Sequence, residues 1–172
     1  MEIEKIELDE LTQDAEIYVY TDGACKGNPG PGGWAFAVLV DGYGDRKLLH
    51  ESTGSVKHTT SNCMELQAAI EALTYLKENH LFNITIVTDS EYVFNGATEW
   101  IQKWKMKGWK TSSREPVKNK PLWLQIDALN ATIGKMSKIT WCWSKGHSKN
   151  LWNDYVDHLA SDAALEAKAG RI

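Results

Sequence analysis

Two periodicities alternate along the chain in an order that leaves few folds open. Glu16–Thr21 (EIYVYT), Trp34–Asp41 (WAFAVLVD) and Arg46–Val56 read as successive strands, the first ended by Asp22-Gly23 and the last two joined through the Gly42-Tyr43-Gly44 turn. After them the period changes. Asn62 to about Asn79 is helical, because Leu66, Ile70 and Leu73 recur at three- and four-residue spacing. Asn83–Thr88 (NITIVT) is a short β-branched run and a buried strand, followed by short helices at Ser90–Asn95 and Glu99–Lys107. Gly108–Lys120 has no apolar period and is a loop ending at Pro121. Leu122–Gly134 is a helix, Lys138–Ser144 an alternating strand, and Leu151–Lys168 a last helix with Trp152, Val156, Leu159 and Ala163 on its core face. Strands that follow one another through short turns pair antiparallel, whereas strands reached through a helix pair parallel. The expectation is an α/β fold: a mixed sheet of five strands, three antiparallel and then parallel ones, flanked by helices.

At 172 residues the chain fits one domain with a substantial core. No apolar run approaches the ~20 residues of a membrane span. The start, MEIEKIELDELTQDAE, lacks the basic and apolar stretches of a signal peptide. Cys25, Cys63 and Cys142 are odd in number, widely spaced and outside any CxxC pair, so they read as reduced thiols of a cytoplasmic protein, with neither a disulfide framework nor a zinc site.

The net charge of −4 averages two opposed segments. Residues 1–16 carry Glu2, Glu4, Glu7, Asp9, Glu10, Asp14 and Glu16 against Lys5, a net of −6. Residues 100–120 carry Lys103, Lys105, Lys107, Lys110, Arg114, Lys118 and Lys120 against Glu115, a net of +6. Trp100, Trp104, Trp109 and Trp123 punctuate the basic segment. Cations that meet phosphates and rings that pack on sugars suit a nucleic-acid backbone, with Trp100, Trp104, Lys107 and Lys110 as candidate contacts. The plainer reading is a solvated loop pinned to the core by its tryptophans. Residues 1–15 form an acidic extension and 16–168 the domain. Ile3, Ile6, Leu8 and Leu11 give the extension apolar content without a settled period, so it either frays or competes electrostatically for the basic segment.

Four acids stand in contexts that core packing does not explain: Asp22 in TDGACKGNPGPGG, Glu65 in SNCMELQAA, Asp89 in IVTDSEYV and Asp157 in NDYVDHLA. Each has an innocent explanation alone. Asp22-Gly23 is a common turn pair, Glu65 stands three residues after Asn62 as in a capping box, Asp89 or Ser90 caps the next helix, and Asp157 is a solvated helix charge. Together they are harder to dismiss. Asp22 and Asp89 both close apolar strands, at the sheet edge where α/β folds bind ligands. Carboxylates converging there repel one another unless cations neutralise them. Mg²⁺ suits an all-oxygen site, and two such ions about 4 Å apart recur in displacement at phosphorus. The implied chemistry is that of the phosphodiester bond. Asp22, ending the central strand, is best placed to bridge two ions, with Glu65 and Asp89 on the nucleophile side and Asp157 on the leaving-group side. His147, in the polar run Trp143-Ser144-Lys145-Gly146-His147-Ser148, is either a surface histidine or a proton carrier and product-release group.

TDGACKGNPGPGGW, the MEL of SNCMELQAAIEAL, VTDSEYV, GWKTSSREPVKN followed by LW, and WSKGH…NDYVDHLA closely resemble type 1 ribonuclease H, in the family's order from about residue 16 to 165. The resemblance implies a ribonuclease H-like fold with a basic protrusion over the tryptophan-rich segment. It implies hydrolysis of the RNA strand of RNA–DNA hybrids with Mg²⁺ (or Mn²⁺), leaving 5′-phosphate and 3′-hydroxyl ends. By the same resemblance Asp22, Glu65, Asp89 and Asp157 match the metal-binding carboxylates and His147 the catalytic-loop histidine. Asn28, Asn62 and position 91 match residues that touch the minor groove, where 2′-hydroxyls distinguish RNA. Thr60 and Asn119 match a pocket for a DNA-strand phosphate. The partner is therefore an RNA–DNA hybrid, with no membrane, and the protein a monomer.

Some positions depart from the family pattern. Glu91 stands where Gln is common, Ser61 where Asn is common, and His58 where Arg often supports the phosphate pocket. Ser148-Lys149-Asn150-Leu151-Trp152 is bulkier than the usual segment after the histidine. Two other functions stay open at this point. A DNA strand transferase or junction nuclease on a related fold would lack the basic protrusion and the minor-groove asparagines, and a hybrid-binding module with a dead site would lack intact acids. The initial Met1 and a body that fills the expected fold favour a free-standing protein over a reverse transcriptase's ribonuclease domain.

Overall fold

A computed structural model describes residues 2–42, 45–145 and 150–170. Its elements are β1 (Glu16–Cys25), β2 (Gly30–Asp41), β3 (Lys47–Thr59), α1 (Ser61–Glu78), β4 (Ile84–Thr88), α2 (Glu91–Asn95), α3 (Ile101–Met106), α4 (Lys120–Gly134), β5 (Ile139–Trp143) and α5 (Leu151–Lys168). The sheet has five strands in the order β3-β2-β1-β4-β5. β1, β2 and β3 pair antiparallel, while β4 lies parallel to both β1 and β5. The expected α/β fold is therefore the observed one, with β1 central.

Alternation along the strands sends side chains to two cores. Ile17 and Val19 of β1 join Phe36, Val38 and Val40 of β2 under α1, where Leu66, Leu73 and Leu76 are buried. Tyr20 joins Ala35, Ala37 and Leu39 on the opposite face, under Trp152, Val156 and Ala160 of α5. Helices thus cover both faces, as a sheet buried on two sides requires.

Three sequence expectations need correction. Asp22-Gly23 is not a turn: β1 continues to Cys25, with Asp22 opposite Ala35 and Gly23 opposite Trp34 of β2. The two short helices are one helical run, because α2 passes into α3 through a π-helical turn, Gly96–Trp100, without leaving helical backbone angles. Helix α4 begins at Lys120, with Pro121 in its first turn, where a missing N–H does little harm.

The acidic extension does not fray. Lys5 bridges Leu48 in parallel, with Ile6 N–H donating to Leu48 O (3.0 Å) and Leu48 N–H to Glu4 O (2.8 Å). Ile6, Leu11 and Ala15 pack on the α1-side core. The contact satisfies backbone groups on β3, an edge strand whose outer row would otherwise be exposed. Among the described residues no helix is long and apolar enough to cross a membrane, and all three cysteines are free.

Candidate active site

The parallel register of β1 and β4 ends at Thr21 opposite Thr88. The next residue on each chain is an aspartate, so the register alone sets Asp22 and Asp89 side by side. This is also where the strand order reverses, with β2 and β3 to one side of β1 and β4 and β5 to the other. Glu65 arrives from α1. Gly23 has no side chain to hold that helix away: a Cβ on it would lie 2.5 Å from both Glu65 N and Met64 C. Carboxyl oxygens of Asp22, Glu65 and Asp89 consequently lie within 4.8 Å of one another.

The innocent explanations for Asp22, Glu65 and Asp89 go elsewhere, while Asp157 is the exposed helix charge its plain reading expects. Thr60, not Asn62, caps α1, its Oγ1 accepting from Cys63 N–H at 3.2 Å. Ser90 caps α2, accepting from Val93 N–H at 3.1 Å. Glu65 is 9% exposed and Asp22 4%, which no cap or surface charge requires. One amide feeds both: Gly23 N–H donates to Asp22 Oδ1 (2.9 Å) and Glu65 Oε1 (3.1 Å). Glu65 Oε2 is buried without a hydrogen-bond partner among the described residues.

Burial pushes the Asp22 carboxyl up to about 7, with the charges of Asp89 and Asp157 adding to the rise and hydrogen bonds from Glu65 and Gly23 opposing it. Glu65 is held well above the usual carboxylate range, first by burial and then by Asp22. Two buried acids that resist ionisation, one with an orphaned oxygen, form a donor set that a hard divalent cation fits. Asp157, exposed on α5, stands outside the group of three but acts on Asp22 through its charge. His147 lies outside the described residues.

The surroundings add groups that hold the backbone around these acids. Trp143 Nε1 donates to Asp89 O (3.1 Å) and Ser144 N–H to Thr88 O (2.9 Å), which fixes the backbone carrying Asp89. Asn153 Nδ2 donates to Ser144 Oγ (2.7 Å), tying α5 to the same loop. Trp143 enters the sequence reading only as the start of the run that carries His147, because its bond to Asp89 depends on the pairing of β4 with β5.

Of the candidate substrate residues, Asn28, Asn62 and Glu91 are exposed near α1 and α2. Asn28 Oδ1 accepts from Ser61 N–H at 3.0 Å, which ties the β1–β2 loop to the start of α1. Thr60 and Asn119 are brought together through Cys63, whose Sγ donates to Asn119 Oδ1 at 3.4 Å. The tryptophans behave mainly as anchors. Trp123 is fully buried, and ring centroids lie 5.9 Å apart for Trp100–Trp104, 6.0 Å for Trp104–Trp109 and 5.4 Å for Trp104–Trp123. Trp100 and Trp104 are thus half-buried in a ladder of rings while Lys107 and Lys110 face solvent. Lys103 pairs with Glu99 and Lys105 with Asp127, each at 2.8 Å, whereas Lys107, Lys110, Arg114, Lys118 and Lys120 have no ion pair among the described residues.

Comparison with known proteins agrees with this geometry. The ribonuclease H family model matches residues 14–165. A ribonuclease H of Ehrlichia ruminantium (strain Gardel) is 47% identical over 152 residues, covering 88% of this chain and 94% of that protein. Another from Francisella tularensis subsp. novicida (strain U112) is 47% identical over 150 residues, covering 87% and 91%. Among solved structures, LC9-RNase H1, a type 1 RNase H with the type 2 active-site motif, superposes with a TM-score of 0.77 at 30% identity, covering 89% of this chain and 74% of that one. LC11-RNase H1 in complex with an RNA/DNA hybrid superposes with a TM-score of 0.66 at 25% identity, covering 89% and 99%. The fold, the buried acids and these likenesses agree: the chain belongs to the ribonuclease H family, metal-dependent nucleases that act on the RNA of RNA–DNA hybrids.

Proposed function

We propose that this protein is an endoribonuclease that hydrolyses the RNA strand of RNA–DNA hybrids on two Mg²⁺ ions, with Mn²⁺ as a substitute, leaving 5′-phosphate and 3′-hydroxyl ends. The supporting observation is the convergence of Asp22, Glu65 and Asp89, with a buried oxygen on Glu65 that has no partner among the described residues, in a ribonuclease H chain. Asp22, Glu65, Asp89 and Asp157 would hold the metal. When bound, the ions supply a water of lowered pKa and neutralise charge on the departing 3′-oxygen.

The remaining work falls to the chain's own groups. Burial of Asp22 and Glu65 keeps bulk water from screening the charges at the reacting phosphate. His147 carries a proton to or from the site and assists product release. Lys107 and Lys110 meet backbone phosphates, with Trp100 and Trp104 holding the segment that presents them and offering their remaining exposed ring surface to sugars. Asn28, Asn62 and Glu91 face the minor groove, and Thr60 with Asn119 receives a phosphate of the DNA strand. The catalytic domain spans residues 16–168, with 1–15 as its extension, and works as a cytoplasmic monomer.

Labelled RNA–DNA hybrid, RNA duplex and DNA duplex, each incubated with and without Mg²⁺, test the reading. Cleavage confined to the RNA of the hybrid and dependent on Mg²⁺ is expected. Cleavage of DNA duplex would favour a strand transferase or junction nuclease, and binding without cleavage a dead site.

A further inference from the structure

Asn119 occupies the N-cap position of α4 but does not cap it. Its backbone sits at φ 59 and ψ 28, the left-handed region that costs a non-glycine residue free energy, and its side chain makes no capping bond. Asparagine at such a position ordinarily turns its amide oxygen onto the first helical N–H groups. Here the amide is diverted. Oδ1 accepts from Cys63 Sγ (3.4 Å), and Nδ2 donates to the Tyr92 hydroxyl (3.1 Å). That phenol oxygen also accepts from Trp123 Nε1 (3.1 Å). An indole N–H can only donate, and Trp123 is fully buried, so the far end of the chain of bonds is fixed.

Cys63 joins two functions in one residue. Its backbone N–H donates to Thr60 Oγ1 and its thiol to Asn119 Oδ1, so it holds both side chains of the phosphate pocket at once. With Oδ1 occupied and one Nδ2 proton given to Tyr92, the other amide proton of Asn119 has no partner among the described residues.

We propose that Cys63 and Tyr92 are positioning residues that lock the Asn119 amide so that its remaining proton meets a phosphate of the DNA strand, setting affinity for the hybrid and not the rate of bond cleavage. This rests on reading Asn119 as a substrate contact. An amide free to rotate would present oxygen as often as nitrogen to an anion. The network removes that choice before substrate arrives, which is how preorganisation gains affinity.

The test is steady-state kinetics on RNA–DNA hybrid for Cys63→Ala, Cys63→Ser, Tyr92→Phe, Asn119→Ala and the Cys63→Ala/Asn119→Ala pair, with thermal melts as the folding control. Cys63→Ala is expected to raise KM about threefold, the scale of one weak hydrogen bond, with kcat kept. Cys63→Ser, which keeps a donor, recovers most of the loss, and Cys63→Ala adds nothing in the Asn119→Ala background. Tyr92→Phe, read the same way, keeps the inference testable should Cys63→Ala fold poorly. Hybrids with a single methylphosphonate moved along the DNA strand supply a second readout. One position weakens the parent enzyme, and that sensitivity fades in Cys63→Ala. Equal KM effects of Cys63→Ala with and without Asn119, or a raised KM for Asn119→Ala beside an unchanged one for Cys63→Ala, overturns the positioning role. An unchanged KM for Asn119→Ala overturns the phosphate reading beneath it.

Discussion

Beside Asp22, Glu65 keeps an oxygen without a partner among the described residues, and both acids resist ionisation where they stand. The Asp22 carboxyl titrates near 3.8 when unfolded and about 7 when folded. A raised folded value means that the native state holds the proton more tightly, so its stabilising contribution is complete below 3.8 and is lost as pH rises towards 7. In EDTA, the denaturant midpoint of the parent should therefore fall relative to that of Asp22→Asn as pH rises across this window. A parallel pH dependence of the two proteins would refute this. Mg²⁺ should restore the parent above pH 7 and leave Asp22→Asn nearly unmoved. Asp22→Asn and Asp89→Asn should each lower hydrolysis by at least about a thousandfold while hybrid binding persists, since charge at the reacting phosphate loses its preorganised partners. Retained turnover in either would defeat the metal reading. The acids were legible in the sequence because their motifs are local. Cys63, Tyr92 and Trp143 were not, because each acts through a residue dozens of positions away and nothing near it in the chain marks the partnership.

At the scale of elements, close backbone approach decides where the acids go. Gly33 of β2 lies directly under α5, and a Cβ there would collide with the Ala160 carbonyl and the Ala164 amide, neither of which can rotate away. Gly33→Ala should cost about 1–3 kcal/mol by displacing α5. Because α5 carries Asp157, activity at a temperature where the variant is fully folded should fall as well, and full activity there would show that Asp157 tolerates the shift. The acidic extension belongs at this scale too. Removing residues 1–14 strips Ile6 and Leu11 from the core and uncovers β3, so the melting temperature should drop, with a loss of about 1–3 kcal/mol; an unchanged melting temperature would show that the docking contributes nothing. Element order and sheet class were readable from periodicity. The Asp22-Gly23 turn was misread because that pair serves hairpins and close helix packing alike. The helical run from Glu91 to Met106 was split because a π turn breaks the 3.6-residue period without breaking the helix.

The whole molecule separates its charge. The acidic start is docked at the β3 edge, while the basic segment leaves α3 and returns at α4, so opposite charges are held on different elements. Salt dependence of hybrid binding should then follow the unpaired cations. Lys107→Ala and Lys110→Ala should each lower the slope of log affinity against log salt by about 0.9 if that lysine meets a phosphate. An unchanged slope would place that lysine off the substrate path. Deletion of residues 1–14 should leave the slope as it is, despite the −6 charge on residues 1–16. The ladder of indoles under this segment has an optical consequence as well. Rings at 5.4–6.0 Å couple their electronic transitions, so the tryptophan region of the circular dichroism spectrum carries a signature of how they are stacked. The protein thereby has a built-in reporter beneath its basic segment, one that will register without any label whether the segment keeps its shape when a duplex is bound.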